Sequence, residues 1–492
     1  MEKKVIEGDS VKKNFIYQFL YQFVILVIPF VISPYLTRTL GSRALGVYTF
    51  TYSIAYYFVM FAMLGILRHG QRIVAERTAN VVELRKTVWS LITLHTFISV
   101  VVLGIYMAYA FWVCKDNQAV AIAQGVYVFS AVIDLTWFFQ GLEKFKTVVI
   151  RNTIIRLAEC ILIFSLVKKP DDLLVYTVIM SLSVCLGHIV MIPQVIRMVK
   201  PIKFSYKDVV EHIKPMLVLF VAAVAVSLYT VFDKTLLGIL SDMDNVAFYE
   251  YSNKIITIPK TFITIISTIL FPKACKLLSS GDAEGVERNL ENSLMINYFI
   301  GFASVWGLLG IGELFAIVYY GLPFAECGTV IMSMAPLILI VGLGEVLRSL
   351  YLYPLKKDKT MVMILFINAA INLTLSIVLI PSMGVYGAVI GTIVAELFGL
   401  VYEMVLCRNY IKFSKFLKAG IPFCVIGFIM FVVIMGITLV TERNIWGLLI
   451  QTMAGATVYV LLALIYCYRT NVTMKGILQS IFTKIKNVMS RN

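Results

Sequence analysis

Apolar segments long enough to cross a lipid bilayer follow one another along almost the whole chain. Of its 492 residues, 60% are hydrophobic and only 14% are charged, and the mean hydropathy is +0.88. A membrane-spanning helix needs about 20 mostly apolar residues, and windows of that length predict about fourteen spans. The sequence therefore predicts an all-α polytopic membrane protein. The predicted spans are 14–35, 44–67, 87–112, 119–140, 148–167, 173–196, 215–240, 246–271, 293–318, 328–352, 361–380, 384–407, 419–440 and 445–468.

Lysine and arginine residues are concentrated in alternate loops of this prediction. Positive loops stay on the cytoplasmic side, so the pattern predicts that both termini are cytoplasmic. The longest outer loop, 319–327, has no Lys or Arg and contains Cys327. The net charge of +15 is typical of topology signals and of contact with anionic membrane lipids, and it does not indicate nucleic-acid binding. We expect no cleavable signal peptide, because residues 1–13 are polar and basic and the next apolar segment is too long.

An internal repeat predicts the domain organisation. The segments GLEKFKTVV at 141–149 and PLKKDKTMV at 354–362 match at five of nine positions, and both follow the fourth span of a six-helix period. Six helices per repeat preserve orientation, which predicts two six-helix bundles related by a parallel repeat. The predicted domains are 1–205, 206–418 and an added two-helix hairpin with a basic cytoplasmic tail at 419–492.

No motif indicates catalysis, a cofactor or a metal. The sequence lacks GxxxxGK[ST] and HExxH, and its eight cysteines have no paired spacing typical of zinc, a redox dithiol or a disulfide framework. We therefore expect a transporter that does not use ATP directly. A membrane-embedded polysaccharide polymerase is the alternative from another class, but it would be expected to have a larger outer loop carrying arginines. A non-transporting scaffold does not account for the buried charges.

Two lysines in the eighth span are the first candidates for ligand binding. Ionisable groups inside a membrane cost roughly 2.5–3.5 kcal/mol each, so they should face protein or water. Tyr249, Asn253 and Lys260 share one helical face, and Lys254 lies about 120° away around the helix. Two ammonium groups beside one cavity would suit an anion such as phosphate. Alternatively, they pair with carboxylates such as Asp233, Glu313 or Glu396.

Two arginines in the fifth span are further candidates for phosphate binding. Arg156 shares a helical face with Asn152 and Glu159, and Arg151 lies near the inner edge of the membrane. Arg156 and Glu159 have the i, i+3 spacing of an intrahelical ion pair, and we favour that structural interpretation.

Polar and aromatic stripes in the first two spans could line a hydrated path. Gln18 and Gln22 lie one helical turn apart, where they could line a vestibule or make interhelical hydrogen bonds. Tyr48, Tyr52 and Tyr56 also repeat every four residues. Such a surface could contact sugar rings, with Tyr52 near its centre, or it could belong to the interfacial aromatic belt and to packing.

Buried carboxylates and a histidine are candidates for coupling transport to a proton or another ion. Such groups can titrate near neutral pH, and for each one structural pairing is the alternative. These residues are Asp134, Asp233, Glu345, Glu396 and His188.

Several segments together carry a family resemblance. They are LTRTLGSRALGVYTF at 36–50, DKTLLGILSDMDNVAFYEYSNKI at 233–255, ILFPKACKLL at 269–278 and NAAINLTLSIVLIPSMGVYGAVIGTIVAE at 368–396. In order and spacing they resemble Wzx-type polysaccharide-unit flippases of the multidrug/oligosaccharidyl-lipid/polysaccharide exporter superfamily.

The resemblance implies a function in cell-surface polysaccharide biosynthesis. It implies export of undecaprenyl-diphosphate-linked oligosaccharide units across the bacterial cytoplasmic membrane, by alternating access through a central cationic cavity. Polysaccharide polymerase and chain-length proteins are implied partners. Asp233, Tyr249 and Lys254 match the family pattern, whereas Lys260 and the two arginines rest on their positions alone. A lipid II flippase and a multidrug or small-molecule exporter of the same superfamily are the alternatives.

Overall fold

A computed structural model describes residues 11–408 and 413–470, and every regular element in these two stretches is helical. This result confirms the predicted all-α fold class. Side chains are described throughout except at 11–26, 145, 222, 225–226, 228–230, 283, 413, 415 and 470.

The helices are numbered α1 to α19 in chain order. The first eleven are α1 (Val11–Met63), α2 (Ile66–Arg77), α3 (Val81–Trp112), α4 (Gln118–Val132), α5 (Thr136–Gly141), α6 (Phe145–Leu166), α7 (Leu173–Ile189), α8 (Ile192–Met198), α9 (Tyr206–Val210), α10 (Ile213–Thr230) and α11 (Phe232–Leu240). The others are α12 (Met243–Ser279), α13 (Ala283–Phe315), α14 (Glu326–Met334), α15 (Pro336–Leu347), α16 (Asp358–Met383), α17 (Val385–Cys407), α18 (Phe413–Thr438) and α19 (Ile445–Thr470). Short 3₁₀ or π turns are Pro170–Asp172, Ala316–Tyr320, Leu322–Phe324 and Arg348–Leu352.

Membrane-spanning helices account for most of the described chain. Ten helical stretches are long and apolar enough to cross a bilayer, and the bent pair Leu322–Met334 and Pro336–Leu352 raises the number to up to 11. The chain is a multi-pass membrane protein, but the predicted count of fourteen is not confirmed. One reason is that α6, although it has 22 residues, carries Arg151, Arg156 and Glu159, which is more charge than the apolar part of any counted stretch contains.

A second reason for the lower count is that α1 continues across a kink, so that two predicted spans fall in one helical stretch. Gly41 has φ 78 and ψ 174, a left-handed backbone conformation that glycine adopts without the steric cost of a β-carbon. The predicted span 14–35 and most of the predicted span 44–67 therefore lie on either side of one kink in α1, which has 53 residues.

The helices form two compact units. Unit 1 consists of the described residues of Met1–Glu250 and of Leu373–Ala388, and unit 2 consists of those of Tyr251–Asn372 and Val389–Asn492. Packing within a unit does not test a sequence repeat, so the predicted domains 1–205, 206–418 and 419–492 stay a prediction.

Aromatic residues of α5 form the centre of one core in unit 1. Trp137, Phe138 and Phe139 are almost completely buried, and aliphatic side chains of α2, α3 and α8 pack around them. A β-carbon at Gly70 of α2 would lie 2.5 Å from the Trp137 ring. Glycine at this position therefore allows α2 to pack closely against α5.

The basic segment 197–214, which connects α8 to α10, is flanked by residues that are buried in the same core. Val199 and Met216 are almost inaccessible to solvent. The indole N–H of Trp89 in α3 donates a hydrogen bond to the backbone carbonyl of Val199 at 3.1 Å. These contacts hold both ends of the segment 197–214 against the core of unit 1.

Two buried histidines strengthen that attachment. His69 Nε2 lies 3.0 Å from His212 Nδ1, and His212 Nε2 lies 3.3 Å from Ser90 Oγ. Because Ser90 donates its own proton to the carbonyl of Thr87, it accepts from His212 Nε2, which leaves His212 Nδ1 to accept from His69. In this arrangement both imidazole rings are neutral.

The hairpin tip between α16 and α17 belongs to unit 1. Gly384 adopts a positive φ of 55, and a β-carbon there would lie 2.9 Å from Asn245 Nδ2. The next backbone N–H, that of Val385, donates to Asn245 Oδ1 at 3.4 Å. Close approach of the turn to Asn245 thus holds the tip in place.

Unit 2 has its main core where α13 packs against α18 and α19. The hydroxyl of Tyr298 donates to the carbonyl of Phe416 at 2.9 Å, and that of Tyr459 donates to the carbonyl of Phe299 at 2.8 Å. Such bonds satisfy buried phenol groups while their rings fill the core. The predicted C-terminal hairpin is therefore an integral part of unit 2.

The outer surface of both units carries many exposed apolar side chains. Phe97 and Ile161 in unit 1 are 69% and 66% exposed, and Val432 and Met453 in unit 2 are 52% and 69% exposed. Apolar exposure along whole helices, with backbone hydrogen bonds satisfied inside each helix, is what a lipid environment requires.

Candidate functional site

A polar cavity of about 350 Å³ lies within unit 1. It is bounded by α6, α7, the first turn of α2 and the connection between α4 and α5. Its charged and hydrogen-bonding side chains include Asp134, Gln140, Arg151, Asn152, Arg156, Glu159 and His188. Four residues predicted from three separate spans, Asp134, Arg151, Arg156 and His188, thus meet at one cavity.

Helix α6 presents its charges to this cavity because of its periodicity. Arg156 and Glu159 lie three residues apart and share a face. On other faces, Ile154, Leu157 and Ile161 are 61%, 51% and 66% exposed. The helix therefore turns an apolar surface outward and a charged one inward.

The predicted pair between Arg156 and Glu159 forms. Arg156 Nη1 donates to both carboxylate oxygens of Glu159, each at 2.9 Å. The Glu159 side chain is 4% exposed, whereas that of Arg156 is 38% exposed. The carboxylate is thus enclosed by protein, and the guanidinium keeps an accessible face.

Arg151 has a different set of acceptors. Its guanidinium donates to Asn152 Oδ1 at 2.9 and 2.6 Å, to the carbonyl of Gly187 at 3.2 Å and to Met191 Sδ. These acceptors carry no net charge. They fix the position of the guanidinium at the cavity.

The break between α4 and α5 positions Asp134. The backbone N–H of Thr136 donates to Asp134 Oδ1 at 2.7 Å, and the indole of Trp137 donates to the carbonyl of Asp134 at 3.1 Å. The carboxylate therefore accepts from the first backbone N–H of α5, which fixes its position.

His188 of α7 faces Asp134 across the cavity. Its Nδ1 lies 2.8 Å from the carbonyl of Ser130, and its Nε2 lies 3.8 Å from Asp134 Oδ1. A carbonyl only accepts, so Nδ1 carries a proton and Nε2 holds a lone pair when the ring is neutral. The contact joins α7 to the connection between α4 and α5.

The tyrosine face of α1 is occupied by other tyrosines. Tyr52 stacks on Tyr48 with ring centroids 5.9 Å apart and on Tyr127 at 5.1 Å, while Tyr48 contacts Tyr176 at 4.6 Å. Tyr52 is 36% exposed. Packing accounts for these contacts, and sugar binding by Tyr52 stays a prediction.

Two of the positions that match the family pattern contact each other. The buried hydroxyl of Tyr249 donates to Asp233 Oδ2 at 2.6 Å. Beside them, Lys234 Nζ lies 2.5 Å from Glu250 Oε2. Both pairs are within unit 1, and each gives a structural explanation for ionisable groups inside the membrane.

The two lysines of α12 differ in their surroundings within unit 2. Lys254 Nζ lies 4.0 Å from the centroid of the Tyr251 ring, a cation–π geometry. The Lys260 side chain is half-buried and has neither a hydrogen-bond nor an ion-pair partner among residues 11–408 and 413–470. Asn253 is also half-buried, and its carbonyl accepts from Thr257 Oγ1. Binding by all three residues stays a prediction.

An ion cluster in unit 2 was only partly visible in the sequence. Arg348 Nη1 lies 2.8 Å from Glu403 Oε1, and Arg348 Nη2 lies 3.4 Å from Glu345 Oε2. Ser349 Oγ also donates to Glu345 at 2.8 Å. The i, i+3 spacing predicts the contact with Glu345, but Glu403 is 55 residues away, and no local pattern brings it to Arg348.

Of the other predicted site residues, Glu396 is not among those that line the cavity. Glu396 of α17 is 7% exposed and makes no hydrogen bond or ion pair within the part of the chain that the structure describes. Gln18 and Gln22 belong to α1, but they fall outside the residues whose side chains are described. Their predicted roles stay predictions.

Two family models match long parts of the chain. The model described as "Polysaccharide biosynthesis protein" matches residues 11–278, and the one described as "Lipid II flippase MurJ" matches residues 157–424. A protein of Shigella dysenteriae with the provisional name O-antigen transporter is 26% identical over 392 residues, which cover 78% of this chain and 97% of that protein.

Solved structures share the fold. The lipid II flippase MurJ in an inward closed conformation superposes with a TM-score of 0.73 at 16% identity, covering 93% of this chain and 98% of that chain. An inward-facing multidrug resistance transporter of the MATE family gives a TM-score of 0.57 at 11% identity, covering 81% and 96% of the two chains. At these identities the likeness shows a MurJ/MATE-like transporter fold.

Proposed function

Because the chain belongs to the polysaccharide biosynthesis protein family, we propose that it is a flippase for lipid-linked oligosaccharides. Its substrate would be an undecaprenyl-diphosphate-linked oligosaccharide unit, moved from the inner to the outer leaflet of the bacterial cytoplasmic membrane for cell-surface polysaccharide biosynthesis. The observation that carries the proposal is a cavity with two arginines inside a protein whose outer surface is apolar.

The chemistry of such a substrate fits this arrangement. A polar oligosaccharide head cannot cross hydrocarbon unaided, whereas the polyprenyl tail can remain in lipid. The diphosphate needs positive partners, and arginine binds phosphate oxygens in a bidentate manner. Arg151 and Arg156 would hold it in unit 1. Lys254 and Lys260 are further candidates for binding the diphosphate, and export would proceed by alternating access through a central cationic cavity.

Two energy sources are available to such a carrier without ATP. When two negative charges move outward from a negative interior, they release roughly 4.6 kcal/mol per 100 mV, at about 2.3 kcal/mol for each charge. The second source is coupling to a proton or another ion at Asp134, which lies 3.8 Å from His188 Nε2. Asp233 and Glu396 are further candidates for ion coupling.

The proposed setting is a multi-pass protein with both termini in the cytoplasm. It would receive its substrate from membrane-bound glycosyltransferases and supply a polysaccharide polymerase and chain-length proteins. Orientation can be tested in a cysteine-free background. Cys327, which the sequence places in an outer loop, is buried at the start of α14, so the position to label is Leu322, which is 76% exposed. An impermeant maleimide added to intact cells should label Leu322→Cys and leave Cys275 unlabelled.

Reconstitution tests the proposed activity. Purified protein in liposomes should move a defined undecaprenyl-diphosphate-linked oligosaccharide between leaflets without ATP, and an imposed potential, negative on the cytoplasmic side, should increase the rate. Protein-free liposomes and an Arg151→Gln/Arg156→Gln variant serve as controls. Absence of flipping by the wild-type protein, or a strict requirement for ATP, would show that the proposal is wrong.

A second candidate function is transport of lipid II. It is favoured by the match to the MurJ model over residues 157–424 and by the TM-score of 0.73. Because lipid II also contains a diphosphate, the arginines would serve either substrate. Competition in the same liposomes distinguishes the two substrates. The preferred substrate should inhibit transport of the other one at a lower concentration than is needed for inhibition in the opposite direction.

A further inference from the structure

We propose that Glu159 is an internal substitute for the phosphate group of the substrate. In the empty protein its carboxylate would neutralise Arg156, and an anionic head group entering the cavity would displace it. This inference rests on the proposed function and assigns a role to a residue that the sequence explains as a structural partner.

The geometry of the pair supports an exchangeable contact. A single nitrogen of Arg156 holds both carboxylate oxygens at 2.9 Å, so the contact is not the two-nitrogen fork that gives arginine its strongest carboxylate binding. Arg156 is also the more exposed partner, at 38% of its side chain against 4% for Glu159. The Arg156 side chain is therefore more accessible to a ligand in the cavity than the Glu159 carboxylate is.

The charge balance of the cavity supports this role for Glu159. Arg151 and Arg156 are matched in number by Asp134 and Glu159, so the lining is neutral when His188 is neutral. Charges inside a membrane protein are costly unless paired. A neutral lining favours the conformational change that returns the empty carrier to its starting state, which a cavity with an unpaired arginine would oppose.

Displacement of Glu159 has a consequence for protons. A diphosphate brings at least two negative charges into a neutral cavity, and the displaced carboxylate is enclosed by protein. The charged and titratable groups facing Glu159 are Arg156 and Cys160 on its own helix and Tyr48 on α1; Arg151, Asp134 and His188 also line the cavity. A carboxylate that is displaced from its cation but stays enclosed by protein takes up a proton more readily than one in water. Anion binding should therefore be accompanied by proton uptake, part of it at Glu159.

The principal variant is Glu159→Gln, which keeps the shape of the side chain and removes its charge. It should bind inorganic pyrophosphate at least about tenfold more tightly than the wild-type protein, a change of about 1.4 kcal/mol. Transport of the lipid-linked oligosaccharide should show a lower KM together with a lower kcat, because the empty carrier now returns with an unpaired arginine. A residue that only supports the fold would not change KM and kcat in this way.

Calorimetry on the full-length protein in neutral-lipid nanodiscs provides the direct measurement. Titrations with pyrophosphate in two buffers of different ionisation enthalpy give both the Kd and the number of protons taken up. Glu159→Gln should take up fewer protons than wild type, and Arg156→Gln should weaken binding. Glu76→Gln is the matched control, because Glu76 pairs with Arg72 on the surface, where the side chains are 58% and 62% exposed. That control should behave as wild type.

The outcomes separate this inference from the proposed function. Unchanged or weaker pyrophosphate binding by Glu159→Gln, in protein whose thermal unfolding matches wild type, overturns the inference; so does unchanged binding by Arg156→Gln. If Glu159→Gln unfolds, Glu159→Asp replaces it. This variant should bind pyrophosphate more tightly than wild type, because the shorter aspartate side chain competes less well for Arg156. If tighter binding is observed but the wild-type protein flips no lipid-linked oligosaccharide, the inference holds and the proposed function fails.

Discussion

Units 1 and 2 both contain an arginine beside carboxylates inside the membrane, but they surround it differently. In unit 1, Arg156 pairs with the carboxylate of Glu159, lines a cavity and keeps 38% of its side chain exposed. In unit 2, Arg348 lies between Glu345 and Glu403 and is 20% exposed. The first arrangement leaves room for a ligand, whereas the second satisfies the arginine with protein groups. A charge within a membrane segment thus indicates transport only when its partners leave part of it accessible.

The largest expected effect is on the stability of unit 2. Arg348→Met leaves Glu345 and Glu403 in the membrane without their cation, which should destabilise the protein by about 3–5 kcal/mol. Accumulation in membranes and the midpoint of thermal unfolding in detergent should both fall. A second change, Glu403→Gln, should restore part of the loss. Normal folding of Arg348→Met with loss of transport would instead identify Arg348 as a ligand-binding residue.

The histidine pair of unit 1 tests whether buried groups away from the cavity are also structural. Burial, together with His69 and Arg77, lowers the pKa of His212 to about 4, against about 6.5 in an unfolded chain. Between these values the unfolded state binds more protons, so stability falls with decreasing pH. From pH 7.5 to 5 the loss should be about 2 kcal/mol. The thermal midpoint of His212→Gln should depend less steeply on pH; equal slopes would contradict the assignment.

Arg151 provides the clearest test of the cavity. Its hydrogen-bond acceptors are an amide, a backbone carbonyl and a thioether, so Arg151→Gln leaves none of these partners with an unpaired charge. We expect the transport rate at low substrate concentration to fall about tenfold, equivalent to about 1.4 kcal/mol, with little change in thermal stability. Arg72→Gln, on the surface of α2, is the control. A wild-type rate for Arg151→Gln would remove this arginine from the site.

The smallest effect is expected at Lys260, and it tests whether unit 2 also contributes to binding. Lys260→Met keeps much of the aliphatic volume and removes a membrane charge, so accumulation should be equal to or above wild type. Transport should fall several-fold, and Lys260→Arg should retain more activity because the charge remains. If Lys254→Met and Lys260→Met both transport at wild-type rates, binding charge is confined to unit 1.

Sequence patterns were informative where the relevant distances are local. Apolar runs predicted the helices, and the three-residue spacing predicted the contact of Arg156 with Glu159. The contacts of His188 with Asp134 and of Arg348 with Glu403 join positions 54 and 55 residues apart, so they depend on tertiary packing that periodicity does not describe. Charged residues such as those on α6 make a helix look less like a membrane segment, and inside a membrane they are costly unless they face protein or water.

The contact between Asn245 and the turn at Gly384 has a consequence for synthesis. Unit 1 is built from two stretches of the chain that are separated by residues 251–372. A ribosome working at about 5–20 residues per second needs roughly 6–24 s to make that intervening stretch. During this interval the site on unit 1 that receives the hairpin tip has been made but lacks its partner. Completion of the first unit is therefore a late event in biogenesis, and a truncated chain that ends before the tip cannot complete it.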